Sequence, residues 1–276
     1  MAKARTLRPD AFLYDLEDAV APDKKQQARA WLEAELGSLA GSPSKIIVRV
    51  NRVRSEFFDA DLRAAVHPAV DGLLLPKCDD PADLARVHAK VGMLESQKGI
   101  RNGKTEFLLI LETALGVLRA YELARACPRI IALNFGAEDY CADMGISRTA
   151  AGEELAVPRA QVAQAAHAAG LHAIDGVYTD FHDDAGLFAE TRRIIQMGYT
   201  GKTAIHPNQI EPIHRAFAPA EHEVAWATEV VNAFEEAKTR GSGVVAVRGK
   251  MVDEPVVLQA RRILRQRDAG ASGKIV

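Results

Sequence analysis

The sequence has few cysteines and no long apolar run, and both shortages narrow the class of protein. Its three cysteines, Cys78, Cys127 and Cys141, are an odd number and form no CxxC pair. Such usage suits a reducing compartment better than a disulfide framework. The N-terminus, MAKARTLRPD, has no apolar segment of the signal-peptide kind, and no run approaches the ~20 residues that a transmembrane helix needs. We therefore predict a cytoplasmic protein that does not enter a membrane.

Concentrated positive charge and closely spaced histidines are also lacking. The net charge is −2, and lysine and arginine are spread along the chain rather than clustered. This distribution argues against nucleic acid or an anionic membrane as the partner and favours a small molecule. The eight histidines show neither HxxxH nor HxH spacing, which argues against a zinc site.

What the sequence does contain is a series of short, near-continuous apolar runs. Strands that are buried on both faces require such runs, so a parallel sheet is predicted. The runs are residues 11–14, 46–50, 72–75, 107–111, 130–135, 173–177 and 203–205. Helical segments alternate with them at a period of about 30 residues, the repeat of βα units. Asp80 before Pro81 predicts a helix to about Lys90, and Asp183 predicts one that ends near Gly198.

The alternation predicts an α/β fold, a (β/α)8 TIM barrel, as the catalytic domain over residues 1–217. No linker rich in proline, glycine or serine divides this region. Seven strand candidates are present where such a barrel has eight, so either the first strand is missing from the N-terminus or one strand elsewhere lacks a recognisable apolar run. Residues 218–276 are predicted to form a C-terminal helical extension that packs on the barrel or on a neighbouring subunit. It holds a long amphipathic segment, a turn and short hairpin from Gly241 to Arg248, and a final helix to about Arg267.

Polar and ionisable residues end six of the seven runs, and in this fold the chemistry is built at the carboxyl ends of the strands. These residues are Asp15, Glu17, Asp18, Arg49, Asn51, Lys77, Glu112, Glu138, Asp139 and His206. Several carboxylates with few competing histidines or cysteines favour a hard divalent ion, Mg²⁺ or Mn²⁺. Arg49 and Lys77 are available to bind anions. An arginine beside a metal suits a 2-oxoacid carboxylate and developing enolate charge.

Six ordered strings resemble those of a known family, the citrate lyase beta-subunit-like proteins, which include the malyl-CoA and citramalyl-CoA lyases. The strings are Tyr14-Asp-Leu-Glu-Asp-Ala-Val-Ala-Pro22, Val48-Arg-Val-Asn51, Leu75-Pro-Lys77, Leu111-Glu-Thr-Ala-Leu-Gly116, Phe135-Gly-Ala-Glu-Asp139 and Ala204-Ile-His-Pro207. The resemblance covers essentially the whole chain and includes Gly249-Lys-Met-Val-Asp-Glu-Pro255. It implies a (β/α)8 barrel, a homotrimer or a dimer of trimers, and cleavage of a 3-hydroxyacyl-CoA into a 2-oxoacid and acetyl-CoA.

The same resemblance implies roles for individual residues. Glu112 and Asp139 would hold Mg²⁺, and Arg49 would bind the oxoacid carboxylate. Asp253 resembles the acidic residue that enters a neighbouring subunit's site as acid or base, so Arg49 and Asp253 are the catalytic candidates.

The substrate-binding candidates form a larger set. They are Arg49, Glu17, Asp18, Lys77 and the segment Gly136, Ala137 and Glu138, whose backbone would border the oxoacid.

The resemblance also bears on the start of the chain and on the choice of activity. Family members open with a strand and a helix that contributes to CoA binding, and Met1 aligns within that helix. We therefore keep two alternatives to a CoA-ester lyase open. One is a CoA-independent 2-oxoacid aldolase, which would share the metal pair; the other is a non-catalytic oxoacid- or metal-binding subunit, or a complex subunit that acts on a carrier-bound thioester.

Overall fold

The computed structural model describes residues 7–272, with side chains to residue 268. The chain forms two compact units, the first ending at Ile210 and the second beginning at Glu211. The division predicted from the sequence came later, after residue 217. None of the helices within residues 7–272 is both long enough and apolar enough to cross a membrane.

The first unit is an α/β fold around one parallel sheet whose strand order follows the chain. The strands are β1 Ala11–Asp15, β2 Lys45–Arg49, β3 Gly72–Leu75, β4 Glu106–Leu111, β5 Ile130–Phe135, β6 His172–Asp175 and β7 Gly201–Lys202. The sheet curls into a half-barrel, with β1 and β7 as its outer strands among the described residues. The predicted count of seven is therefore confirmed, and these seven strands do not close into a barrel.

The last predicted strand, residues 203–205, was placed wrongly. The strand pairing ends at Lys202, one residue before the predicted strand begins. Gly201 pairs with Ile174 and Lys202 with Asp175. The Thr203 N–H still donates to the Asp175 carbonyl, but the Ile205 N–H donates to the Gln209 side chain at 2.9 Å. This side-chain bond turns the chain away from the sheet.

Helices follow the strands as the sequence predicts. Those of the first unit are α1 Lys25–Leu39, α2 Phe58–Ala65, α3 Pro81–Gln97, α4 Ala114–Leu118, α5 Ala120–Ala124, α6 Ala137–Met144, α7 Ala156–Ala168 and α8 Asp184–Gln196. The Asp80 and Asp183 side chains accept from the Ala82 and Gly186 N–H groups, which confirms both predicted N-caps. Helix α3 continues to Gln97 rather than ending near Lys90.

Strands β4 and β5 pair through a bulge that sets the geometry of their carboxyl ends. Phe107 pairs with Ile130, whereas Leu108 pairs with Ala132, so β5 carries one extra residue at this point. Above the bulge Leu111 pairs with Phe135. The residues that follow Leu111 and Phe135 therefore lie opposite each other, so Glu112 faces Gly136.

The second unit is built from helices and a hairpin. Its elements are α9 Ile210–Phe217, α10 Glu221–Thr239, β8 Val245–Val247, β9 Lys250–Val252 and α11 Glu254–Ser272. Val230, Phe234, Val252 and Val257 lie in its buried core. A hairpin is present as predicted, but it reaches Val252 rather than ending at Arg248, and its turn is Arg248–Gly249, with φ of 50° and 75°. Positive φ at both central residues is the requirement of a type I′ turn, which matches the twist of the flanking strands.

Candidate active site

The site is built first from a side-on ion pair between β1 and β2. The register of the two strands places Asp15 opposite Arg49. Arg49 Nε donates to Asp15 Oδ1 at 2.8 Å and Nη2 to Oδ2 at 2.6 Å. Burial alone would raise the pKa of Asp15, but the Arg49 bonds outweigh it and the pKa is lowered. Asp15 thus occupies one edge of the guanidinium, and Nη1 on the other edge faces two further carboxylates.

Those carboxylates are Glu17 and Asp18, in the turn after β1. Arg49 Nη1 lies 3.1 Å from Glu17 Oε2 and 3.7 Å from Asp18 Oδ2. Glu17 is buried, and its Oε2 is not aligned with Nη1 for a hydrogen bond, so this oxygen has no hydrogen-bond partner among the described residues. Burial, with the charge of Asp18, raises the pKa of Glu17 to about 7 even though Arg49 opposes the shift.

Lys77, after β3, joins the two halves of the site. Its backbone has φ of +51°, a left-handed conformation that is unusual for a residue other than glycine. In this conformation its N–H donates to Glu112 Oε1 at 2.8 Å. Its Nζ lies 3.7 Å from Glu17 Oε1 and 3.9 Å from Asp139 Oδ1. Burial would lower the pKa of Lys77, but Glu17 and Asp139 outweigh it and raise the pKa.

Glu112 follows β4 and is buried against Gly136. A Cβ at Gly136 would lie 2.6 Å from Glu112 Cβ and 2.8 Å from its Oε2, closer than real atoms approach, so only glycine fits there. Burial, with the charge of Asp139, raises the pKa of Glu112 to about 8. Of the two carboxylates predicted to hold a metal, Asp139 therefore lies close enough to disfavour the charge of Glu112.

Asp139 and Glu138 lie in the first turn of α6, where helix N–H groups favour negative charge. The Glu138 side chain pairs with Arg148, which also reaches Glu190 at 3.2 Å. Of the segment predicted to border an oxoacid, Gly136 thus packs on Glu112 and Ala137 begins the helix. The Glu138 carboxylate turns to Arg148, and the predicted role of its backbone stays a prediction.

The strand ends carry more negative than positive charge. Asp15, Glu17, Asp18, Glu112 and Asp139 supply five carboxylates, against the two cations Arg49 and Lys77. An excess of carboxylates suits a divalent cation, and all the ligand atoms that they offer are oxygens, as Mg²⁺ prefers. No group of three or more His, Cys, Asp or Glu suited to a metal occurs within residues 7–272. A pair of carboxylates fits Mg²⁺, which usually keeps several waters and binds through one or two carboxylates and its substrate.

A second ion cluster lies at the ends of β6 and β7, and the side chains of Asp175, Arg159 and Lys202 at its centre are buried. Asp175 accepts from Arg159 Nε at 2.9 Å and from Lys202 Nζ at 2.6 Å. Lys202 also donates to Glu190 at 2.8 Å, and Arg148 connects Glu190 to Glu138. Apart from Glu138, the sequence analysis did not single out these residues. Each comes from a different helix, strand or loop, so no local spacing marks the group.

Lys25 was also missed, although it supports the turn that carries Glu17. Its Nζ donates to the carbonyl oxygens of Leu16 at 2.8 Å and Glu17 at 2.7 Å. A signal was available, because the buried positions of α1 are Lys25, Leu32 and Leu36, which are spaced as one face of a helix.

Asp253, the remaining predicted site residue, belongs to the second unit. It lies between β9 and α11, where its backbone carbonyl accepts from the Val257 N–H at 3.0 Å. Its role stays a prediction.

Comparison with known proteins gives consistent matches over nearly the whole chain. The sequence model of the HpcH/HpaI aldolase/citrate lyase family matches residues 1–207. Citrate lyase subunit beta of Leuconostoc mesenteroides subsp. cremoris is 38% identical over 94% of this chain and 86% of its own. The L-malyl-CoA/beta-methylmalyl-CoA lyase of Cereibacter sphaeroides (strain ATCC 17025 / ATH 2.4.3) is 34% identical over 93% and 87%.

Among solved structures, protein CitE of Mycobacterium tuberculosis, in complex with magnesium, acetoacetate and coenzyme A, superposes with a TM-score of 0.79. It is 30% identical, and the match covers 97% of this chain and 93% of that one.

Proposed function

The chain belongs to the HpcH/HpaI aldolase/citrate lyase family, and from this premise we propose that it is a Mg²⁺-dependent carbon–carbon lyase. Its substrate would be a 3-hydroxyacyl-CoA of the citramalyl-, malyl- or citryl-CoA type, and its products a 2-oxoacid and acetyl-CoA. The observation that carries the proposal is the meeting of Glu112, Asp139 and Arg49 at one edge of the sheet, joined through Lys77 and Glu17. The CitE structure, which contains magnesium, acetoacetate and coenzyme A, supports the binding of a metal and of CoA.

Glu112 and Asp139 are the proposed Mg²⁺ ligands, with Mn²⁺ as a substitute of similar preference. When bound, the ion would supply Lewis-acid polarisation of the oxoacid oxygens and stabilise developing negative charge. Asp15 accepts hydrogen bonds from Nε and Nη2 of Arg49, so Arg49 would bind the oxoacid carboxylate through the opposite edge of its guanidinium, which includes Nη1. The backbone of Gly136, Ala137 and Glu138 would border the oxoacid, and Lys77 would add positive charge.

In the cleavage direction a base takes the proton of the substrate's 3-hydroxyl group. The electrons of that O–H bond form the new carbonyl of the 2-oxoacid. The bond between the hydroxyl-bearing carbon and the thioester's α-carbon breaks, and its electrons form the enolate of acetyl-CoA, which is then protonated. Asp253 of an adjacent chain is the proposed base. The proposed assembly is a homotrimer or a dimer of trimers. In the complete fold an eighth strand would close the barrel.

The proposal is tested by incubating the protein and Mg²⁺ with each of the three CoA thioesters. Acetyl-CoA and the 2-oxoacid should form in equal amounts from one of them. Glu112→Gln should lower turnover by on the order of a hundredfold or more, because the metal contributes several kcal/mol of charge stabilisation. Glu106→Gln is the matched control, since Glu106 begins the same strand at its opposite end. Turnover that survives both chelation of Mg²⁺ and Glu112→Gln would exclude this mechanism.

A subunit that acts on a carrier-bound thioester is the second candidate, favoured by the 38% identity to a citrate lyase subunit beta. Measuring turnover of CoA thioesters, carrier-protein thioesters and free hydroxy acids under the same conditions distinguishes these proposed functions. Turnover of free hydroxy acids alone would indicate a CoA-independent aldolase instead.

A further inference from the structure

Lys25 is a buried cation beside the site, and its partners are carbonyl groups rather than carboxylates. Only 6% of the residue is exposed. Its Nζ donates to the Leu16 carbonyl at 2.8 Å and to the Glu17 carbonyl at 2.7 Å, and it lies 5.7 Å from the centre of the Phe57 ring. No carboxylate within the described residues forms an ion pair with it. Burying an ammonium group without an opposite charge is costly, so the bonds that it does make must fix this segment firmly.

The two carbonyls belong to the turn that carries Glu17. The Leu16 carbonyl also accepts from Asn51 Nδ2 at 2.8 Å, and the Leu16 N–H donates to the Arg49 carbonyl at 2.9 Å. The Glu17 carbonyl also accepts from the Val20 N–H at 2.9 Å. Lys25 thus joins the two carbonyls on either side of the Glu17 Cα, from a helix that begins at Lys25 itself.

Fixing this backbone fixes the buried Glu17 carboxylate between two cations. Glu17 Oε2 lies 3.1 Å from Arg49 Nη1, and Oε1 lies 3.7 Å from Lys77 Nζ. Asp15 holds the other edge of the guanidinium. The direction in which Nη1 faces therefore depends on where Glu17 is held.

We propose that Lys25 is a positioning residue for 2-oxoacid binding: it holds the Leu16–Glu17 backbone so that Glu17 sets the orientation of the Arg49 guanidinium. This inference rests on the proposed function, since it assigns Arg49 to the oxoacid carboxylate. Lys25 itself touches neither Glu112 nor Asp139 and reaches them only through Glu17 and Lys77, so its loss should affect these proposed metal ligands far less than Arg49.

The test compares Lys25→Met with Lys24→Met by calorimetric titration. Lys24 is the matched control, a neighbouring lysine whose side chain is 63% exposed. Each protein is titrated with Mg²⁺ alone, and with oxaloacetate and pyruvate in the presence of Mg²⁺. Lys25→Met should weaken oxoacid binding about tenfold, as loss of a supporting partner does, and leave Mg²⁺ affinity within about twofold. Lys24→Met should match the wild type, and Lys25→Arg, which keeps a cation, should be intermediate.

A double-mutant cycle with Glu17→Gln separates positioning from general destabilisation. If Lys25 acts through Glu17, Lys25→Met should have little further effect on oxoacid binding in the Glu17→Gln background. A full additional loss there, or unchanged binding by Lys25→Met, would overturn the inference. Should Lys25→Met not fold, Lys25→Gln keeps one donor for the carbonyls and should show the same selective loss to a smaller degree; wild-type oxoacid affinity in that variant would overturn the inference as well. A wild-type protein that binds no 2-oxoacid would instead overturn the proposed function.

Discussion

At the scale of single residues, the close approach of Gly136 to Glu112 makes one methyl group decisive. In Gly136→Ala the new Cβ would lie 2.6 Å from Glu112 Cβ, and both the backbone and the proposed metal ligand would have to move. We expect Mg²⁺ affinity to fall at least about tenfold in a calorimetric titration, because ligand geometry is what a carboxylate pair contributes.

The control for this substitution is Gly37→Ala, the same chemical change on α1. A Cβ there would meet nothing within 4 Å. Alanine is also the better helix former by about 1 kcal/mol, so this variant should bind Mg²⁺ as the wild type does and be slightly more stable. Equal Mg²⁺ affinity in the two alanine variants would show that the Gly136 contact does not control Glu112.

Two substitutions of Lys77, which has a left-handed backbone, separate the effect of its charge from the effect of its backbone conformation. Lys77→Ala and Lys77→Gly both remove the ammonium group, but only glycine adopts φ of +51° without strain. The glycine variant should therefore be the more stable of the two by about 1 kcal/mol in urea unfolding. An alanine variant of equal or greater stability would mean that this backbone is unstrained.

At the scale of elements, a buried ion pair ties α3 to the start of β5. Arg129 donates to both oxygens of the fully buried Glu95, at 2.9 and 2.6 Å. Burial would raise the pKa of Glu95, but bonds from Arg129 and from the Thr105 and Gly103 N–H groups outweigh it and lower the pKa to about 2. A carboxylate with a lowered pKa stabilises the fold above its ordinary pKa, and this contribution is lost as the pH falls through its folded value.

Glu95 should therefore contribute about 3 kcal/mol of pH-dependent stability, lost as the pH falls from about 4.5 toward 2. The measurement is the free energy of unfolding of the wild type and Glu95→Gln across this range. The variant should be less stable at pH 7, because Arg129 stays buried without its partner, and its stability should change less with acid. Parallel pH curves for the two proteins would contradict the assignment.

The elements themselves were largely predictable from the sequence, and the reason is periodicity. Strands such as β3 and β5 are buried on both faces, so their apolar runs coincide with their observed bounds. The position of β7 was not predictable, because the Gln209 side chain takes the Ile205 N–H and no apolar pattern records such a bond.

The site was predictable only in part, for a related reason. Carboxyl ends of parallel strands meet at one edge, so the acidic residues there could be expected to converge. The Asp15–Arg49 pair depends on the register of β1 and β2, which the sequence does not specify. Lys25 and Lys24 are adjacent lysines that differ only in the helix face on which each lies.

At the scale of the whole molecule, the proposed use of Asp253 from another chain predicts complementation between two inactive variants. Glu112→Gln and Asp253→Asn should each have low activity. Co-expressed in equal amounts, they should recover about a quarter of wild-type activity, since random assembly pairs the two intact residues in one site of four. Sedimentation should show the trimer, about three times the 29.9 kDa chain mass. No recovery in assemblies shown to contain both variants would mean that Asp253 does not act across chains.

The bulge between β4 and β5 affects how this fold can tolerate changes of length. Strand β5 is fixed at one end, where Arg129 is bonded to Glu95, and at the other, where Gly136 meets Glu112. The extra residue at the bulge takes up the mismatch between these two fixed points. Deleting Ile131 would remove the bulge, because Ala132 would then follow Ile130 and still pair with Leu108, and Gly136 would stay level with Glu112. Deleting Leu133 instead would shift the upper part of β5 by one residue and bring Ala137, rather than Gly136, level with Glu112. A deletion scan should therefore find that loss of Ile131 preserves Mg²⁺ binding better than loss of Leu133, although both residues lie in the same strand.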